Sequence, residues 1–273
     1  MKDQDTTLPA TQLASSLLNI SAIQRGLSDI QTSPFTHCVI NDFFQPDVAV
    51  ELANEFDAYD SSNWYVYNNS IEHKKTNNRW IDFPAKTYEA FAYLNSPEFV
   101  QLMSDSFDSH LYPDPGLHGG GWHIHGQGGN LNPHLDYSMH PKMGLQRKLN
   151  IIIYLSQELN TDNGGHLGLY GNESDERPGE LIREVEPIFN RAIIFDTTMN
   201  SWHGMSRPLN VPPGIYRKSF AVYYLQPFEG DVNTRSRALF APREHQKGNT
   251  EVLDTIRVRS DAKAFHQAYR TQK

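Results

Sequence analysis

From residue 147 onward the chain breaks into short runs of β-branched and aromatic residues: RKLNIIIYLS (147–156), HLGLY (166–170), ELIREVE (180–186), RAIIFD (191–196) and IYRKSFAVYYL (215–225). Gly, Pro, Asn or Asp separates each run from the next. Such residues suit a pleated surface, and many short strands with turn-like joins predict a sandwich or barrel. Helices precede them. Pro46 opens a helix over PDVAVELANEFDAY (46–59), with Val48, Leu52 and Phe56 on one stripe. Ser96 caps a second over 96–109, with Pro97 at its first position and Phe99, Leu102, Met103 and Phe107 facing inward. HCVINDFF (37–44) reads as a short buried strand, residues 10–30 as a helix or a loosely attached arm, and 249–270 as a mostly helical tail. The segment 63–83 is aromatic and amide-rich and has no clean period. With no repeat and no linker, one domain is expected: helical support and lid over 1–116, a β core over 117–227, and an extension over 228–273.

Side chains alternate along a strand. Leu149, Ile151, Ile153 and Leu155 therefore form one wholly apolar face, expected to meet the helices or the other sheet. Asn150, Ile152, Tyr154 and Ser156 form the opposite face, which either lines a cavity or meets solvent. In the last run Arg217, Ser219, Ala221 and Tyr223 share a face, and Lys218 and Phe220 take the other. Arg217 and Ser219 could grip a carboxylate together, through a fork of guanidinium donors and a hydroxyl; alternatively Arg217 is an ordinary exposed arginine.

NPHLDYSMH (132–140) places His134 and Asp136 two residues apart. On an extended backbone they share a face and can occupy adjacent positions on one metal ion. His203, in NSWHGMSRP, is the best third ligand. Two histidines and one carboxylate leave three positions open, the arrangement of non-haem Fe(II) oxygenases. Those positions suit a bidentate 2-oxo acid and dioxygen. H-x-D alone is a weak signal in a chain with 12 histidines. Its ordered company is stronger: a histidine 67 residues beyond the aspartate, an arginine 14 residues later, and a serine two further on.

On NPHLDYS, RKLNIIIYLSQELNTDNGGHLGLY, RAIIFDTTMNSWHGMSRP and YRKSFAVYYL, the chain resembles the Fe(II)- and 2-oxoglutarate-dependent oxygenases, most closely the broad prolyl-hydroxylase-like group. The resemblance covers 117–227. It implies a mainly β fold with flanking helices, built on a double-stranded β-helix (a jelly roll, cupin-like). It implies Fe(II) on His134, Asp136 and His203, which are the catalytic positions. It implies 2-oxoglutarate on Arg217 and Ser219, with Tyr154 reaching the same carboxylate and Asn150 beside it. Dioxygen would be the oxidant and hydroxylation the outcome, with succinate and CO2 released. Related halogenases carry a small residue where Asp136 stands, so halogenation is not implied.

Other chemistries fit less well. His123 and His125 in GWHIHGQGG form a second same-face pair, like a cupin metal strand, but Gly128 and Gly129 stand where a cupin glutamate belongs. They suit a place in the pocket better, and His166 and Tyr137 are further substrate candidates. His140 is a candidate too, with a structural histidine as the plain alternative. A zinc hydrolase would leave Arg217 and Ser219 without a role. There is no G-x-S-x-G, Cys38 reads as a buried inert thiol, and GGGW (119–122) reads as a turn. A non-catalytic double-sheet binding module is the non-enzyme alternative.

Formal charge is −8, which disfavours nucleic acid. No apolar run approaches the roughly 18 residues of a membrane span, and the N-terminus lacks a basic-then-apolar signal pattern. One cysteine permits no internal disulfide. A cytoplasmic enzyme is therefore expected, with no membrane partner. Its substrate is expected to be a small polar organic molecule (an amino-acid derivative, a peptide-like metabolite or a sugar), met by the 63–83 segment through Arg79 and Trp80. A peptidyl, prolyl-type substrate on a protein is the alternative.

Overall fold

Period-two alternation turns the β-rich runs into two antiparallel sheets. The computed structural model describes residues 14–269 apart from 15, 199 and 230–233. In chain order its strands are β1 (His37–Ile40), β2 (Tyr65–Asn68), β3 (Glu72–Asn77), β4 (Tyr112–Pro113), β5 (Gly121–His125), β6 (Asn130–Leu131), β7 (His134–Leu135), β8 (Gln146–Tyr154), β9 (Leu167–Ser174), β10 (Arg177–Val185), β11 (Ala192–Asp196), β12 (His203–Met205), β13 (Arg217–Gln226) and β14 (Leu239–Phe240). The larger sheet runs β1-β11-β8-β13-β5-β3-β2, with β4 added to β13 and β6 to β3; the smaller runs β10-β9-β12-β7-β14. Together they make the expected jelly roll, with a cavity lined by both.

Helices cover the outer face of the larger sheet: α1 (Ile20–Leu27), α2 (Pro46–Asn54), α3 (Ala85–Leu94) and α4 (Pro97–Ser106). Leu149, Ile151, Ile153 and Leu155 pack there with Leu52, Phe91 and Phe99, all nearly inaccessible. Ser96 caps α4 by accepting from the Phe99 amide at 3.3 Å. From Leu17 onward the first segment is tied down, with Leu17, Leu18, Ala22 and Ile23 buried; residues 10–13 lie outside the described ones. The second helix stops at Asn54, short of the expected Tyr59. There Asp57 accepts from the Ala58 amide, the Ser61 hydroxyl and the Asn63 side chain at 2.8, 2.7 and 2.9 Å. Such local bonds offer the chain an alternative to the helix. The tail is α5 (Thr250–Ser260), capped by Asn249, and a 3-10 turn at Phe265–Tyr269; residue 270 lies outside the described residues.

The 63–83 segment folds as the hairpin β2–β3. β2 is a short aromatic run, Tyr65–Asn68, and β3 is polar on both faces, so alternation does not mark them. GGGW is a turn that becomes a strand at its last glycine. Gly121 has φ +85°, and a Cβ there would lie 2.3 Å from the Asn77 carbonyl oxygen, so only glycine lets β5 start against β3.

Phe220 is fully buried and stacks on Phe91 and Phe56, with ring centroids 4.5 and 5.8 Å away. Phe220→Ala is expected to cost about 3–5 kcal/mol, read as a lower urea midpoint at unchanged slope. Cys38 is fully buried, and burial, aided by the nearby Asp29 charge, raises its thiol pKa to about 12. The native protein should therefore give no reaction with a thiol reagent at pH 8, and one equivalent after denaturation.

Candidate active site

His134 on β7 and His203 on β12 are direct cross-strand partners, and Asp136 follows two residues after the first. Their ligand atoms all lie within 4.8 Å of one another, and all three side chains are buried. Gly204 makes the approach close enough: a Cβ there would lie 2.6 Å from the Asn132 carbonyl oxygen. Backbone carbonyls fix both imidazoles. His134 Nδ1 lies 3.0 Å from the Asn132 oxygen and His203 Nδ1 2.8 Å from the Ser201 oxygen. A carbonyl only accepts, so Nδ1 carries the proton in each ring and Nε2 keeps its lone pair for an ion. Those Nε2 atoms each lie 3.8 Å from an Asp136 oxygen, Oδ1 for His134 and Oδ2 for His203. Phe240 stacks on His134 at 4.9 Å, and Phe195 tilts against His203 at 4.7 Å.

Burial and the neighbouring His203 lower the His134 pKa to about 3. Burial alone would raise the Asp136 carboxyl, but His203, Arg147, His134 and a hydrogen bond from Tyr223 hold it below its ordinary value. A neutral imidazole and an ionised carboxylate are the forms a divalent cation binds.

Arg147 and Tyr223 are residues the sequence did not mark. The Tyr223 hydroxyl donates to Asp136 Oδ2 at 3.0 Å, and Arg147 lies 3.8 Å from Oδ1. The Arg147 guanidinium is sandwiched between the Tyr137 and Tyr223 rings, 3.5 and 3.4 Å from their centroids. It also donates to the His118 carbonyl and the Tyr137 hydroxyl. Strict alternation would send Arg147 to the core face with Leu149. The pairing of β8 with β13 shifts there, Tyr224 facing Leu149 but Leu225 facing Arg147, and this bulge turns the guanidinium to the cavity.

The cavity is about 480 Å³ in volume. Arg217 lines it, six residues along β13 from Tyr223. It is 4% exposed, donates Nε to the Gly165 oxygen at 2.8 Å, and stands 4.9 Å over the Tyr154 ring. No carboxylate among the described residues pairs with it, so it is not the exposed arginine of the plain reading. Ser219, Asn150 and Ile152 share that wall, as alternation predicts. The buried Tyr154 hydroxyl faces Arg217, and the buried Asn150 Oδ1 has no hydrogen-bond partner among the described residues. A small dianion on Arg217 and a cation on the three ligands would engage such groups, so the residues present fit Fe(II) and 2-oxoglutarate.

His123 and His125 line the cavity as expected, and burial lowers the pKa of both, His123 to about 3. Tyr137 lines it too, its hydroxyl also donating to the His118 oxygen at 3.0 Å. Three candidates lie elsewhere. His166 is buried off the cavity, its Nε2 3.1 Å from the Thr161 oxygen; its neighbour Leu167 takes the lining position. Arg79 and Trp80 follow the end of β3 in a turn that carries them outward. Arg79 is exposed and paired with Asp82 at 2.6 Å, while Trp80 packs on Tyr88 and donates to the Pro115 oxygen at 2.8 Å. His140 is structural, accepting from the Lys142 and Met143 amides and facing Asp114 at 3.5 Å.

A jelly roll with two histidines and one carboxylate in its cavity defines an oxygenase of the non-haem iron class. Comparison with known proteins makes this specific. The family model described as the 2OG-Fe(II) oxygenase superfamily matches residues 120–225. A prolyl 3-hydroxylase of Xenopus laevis, OGFOD1, is 31% identical over 64 residues, which span 23% of this chain and only 12% of that protein. A prolyl hydroxylase of Trichoplax adhaerens, solved with a hypoxia-inducible-factor degradation-domain peptide, superposes with TM-score 0.50 at 18% identity, over 80% of this chain and 90% of that one. A Pseudomonas putida prolyl-4-hydroxylase gives 0.53 at 14% identity, over 77% and 100%. Residues 120–225 thus match the 2OG-Fe(II) oxygenase superfamily, whose cofactors are Fe(II) and 2-oxoglutarate with O2, and the fold is shared with prolyl hydroxylases. Among the described residues no helix is long and apolar enough to cross a membrane.

Tyr223→Phe keeps the ring on Arg147 and removes only the hydrogen bond to Asp136. It should weaken Co(II) binding by about tenfold in a calorimetric titration, as loss of a ligand's orienting partner does elsewhere. Unchanged affinity would show that the hydroxyl does not orient the carboxylate.

Proposed function

We propose that this protein is a 2-oxoglutarate-dependent Fe(II) dioxygenase that hydroxylates a residue of a peptide or protein, of the prolyl type. The observation that carries the reaction class is a buried, ion-sized His134, Asp136, His203 cluster sharing one cavity with a buried arginine that pairs with no carboxylate among the described residues. With iron and 2-oxoglutarate held there, dioxygen would supply the oxidation, one oxygen atom replacing C–H by C–OH and the other entering succinate as 2-oxoglutarate loses CO2. The chain supplies the rest. His134, Asp136 and His203 hold the ion on one side. Arg217, with Ser219 and the Tyr154 hydroxyl, anchors the far carboxylate of 2-oxoglutarate and so sets its direction. The apolar walls, Ile152, Leu167 and Phe240 among them, exclude water from the reacting carbon.

For the substrate, the prolyl hydroxylase relatives favour the peptidyl reading over the small polar molecule. A feature of this chain agrees. Among the described residues β2 pairs only with β3 and ends the larger sheet, and Tyr65 and Tyr67 on it also line the cavity. An extended peptide can add to such an edge and lower one side chain inward.

His134→Ala and Asp136→Ala should each abolish 2-oxoglutarate-dependent succinate formation. Arg217→Ala should raise the KM for 2-oxoglutarate about a hundredfold with a smaller effect on kcat, the cost of removing one partner of a buried charge pair. Turnover assayed on proline-containing peptides, with product mass read for an added oxygen, checks all three. Wild-type rates in any of them would refute its assigned role.

A further inference from the structure

Resting on the dioxygenase reading, we propose that Lys74, with His125 beside it, binds a carboxylate on the substrate, so that the residue to be hydroxylated lies next to an acidic one.

Strand register places the two groups. β3 pairs with β5 through Lys75 opposite Ile124 and Thr76 opposite His123. Ile124 points into the helix-covered core. Alternation therefore turns Lys74, Thr76, His123 and His125 to the cavity, all of which line it. Continuing that register by one position sets Lys74 beside His125. On its other side His125 is paired with Arg217 of β13. Lysine, imidazole and guanidinium thus form one row across three strands, with Arg217 already committed to 2-oxoglutarate.

Lys74 has no ion pair among the described residues. Its ammonium stands 5.1 Å from the centroid of the Tyr67 ring, on the strand edge offered to a peptide. Its acidic neighbour Glu72 is bound to Arg259 at 2.7 Å. Burial lowers the Lys74 pKa, opposed by Glu72; a carboxylate arriving in the cavity would be the counter-ion that restores it. His125 is 2% exposed and lines the cavity between Lys74 and Arg217, so its imidazole can meet the same group.

The charge balance of the cavity points the same way. Lys74, Arg147, Arg217, Arg237 and Arg259 line it, against Glu72 and Asp136 alone. The ferrous dication and the 2-oxoglutarate dianion cancel each other and leave that excess in place. A cationic cavity in a chain of formal charge −8 selects an anionic guest.

The test uses full-length protein loaded with Mn(II) and saturating 2-oxoglutarate. Its probes are two fluorescent peptides that differ only in Asp or Asn beside a central proline. Free proline and prolinamide are titrated directly by calorimetry, to separate a side-chain carboxylate from an α-carboxylate. Cosubstrate affinity is read separately from the visible absorption of the anaerobic Fe(II)–2-oxoglutarate complex. The wild type should bind the Asp peptide about tenfold more tightly than the Asn peptide, Lys74→Gln should bring the ratio to about one, and Lys74→Arg should keep it. Equal binding of both peptides by the wild type overturns the proposal, as does equal loss of both in Lys74→Gln. A Lys74→Gln defect in 2-oxoglutarate affinity also overturns it and gives Lys74 to the cosubstrate. Direct calorimetric binding of free proline but not prolinamide, lost in Lys74→Gln and with neither peptide bound, supports carboxylate recognition and overturns the peptidyl reading instead. Absence of the visible band in the wild type overturns the dioxygenase reading and this inference with it.

Discussion

A buried carboxylate is the constraint around which the site is built. Asp136 is 7% exposed, where an unpaired charge would be costly, and every wall near it offers compensation. Two imidazoles present lone pairs suited to a shared cation, a phenol donates to one oxygen, and a guanidinium approaches the other. These four groups come from both sheets: His134 and His203 from the smaller, Tyr223 and Arg147 from the larger. Closing the jelly roll and neutralising Asp136 are therefore one structural event. The Arg147 sandwich makes this rigid, since a guanidinium held between two rings cannot swing away without losing both contacts.

Much of this was legible in the sequence because strand alternation has a period of exactly two residues wherever pairing is regular. The two faces of β8 and β13 follow from parity alone, which is why Arg217, Ser219 and Tyr223 fall on the cavity side and Phe220 in the core. Parity puts His134 and Asp136 on one side of an extended segment, whereas the choice of His203 and the role of all three rested on the resemblance to the Fe(II)- and 2-oxoglutarate-dependent oxygenases. What parity could not supply is instructive. The bulge near Lys148 inverts the face of Arg147, and nothing in RKLNIIIY announces it. β3 is polar on both sides, so Lys74 carried no periodic signal. Arg79 and Trp80 have the right chemistry for a pocket, but the turn after Asn77 sends them outward. His166 misses the cavity by one residue, the smallest error a strand allows and the one that reverses its face.

The two sheets divide the chemistry. The smaller brings the metal donors, held by backbone carbonyls that dictate which nitrogen is free. The larger brings the anion donors, strung along β5 and β13 and extended by β3. The hairpin adds both β3 and β2 to the larger sheet, so one segment brings Lys74, Tyr65 and Tyr67 to the cavity.

The polar atoms left without partners are themselves informative. A buried donor or acceptor without a hydrogen bond costs about 1–3 kcal/mol, and natural proteins carry few of them. Here Asn150 Oδ1 lacks a partner among the described residues, in the cavity that also holds Arg217 and Lys74, neither of which has an ion pair among those residues. Scattered, such groups would be defects of packing. Gathered on one face and matched in sign, they describe the outline of what binds: oxygen-rich, negatively charged, and long enough to reach from a metal ion on the opposite sheet to a guanidinium on this one.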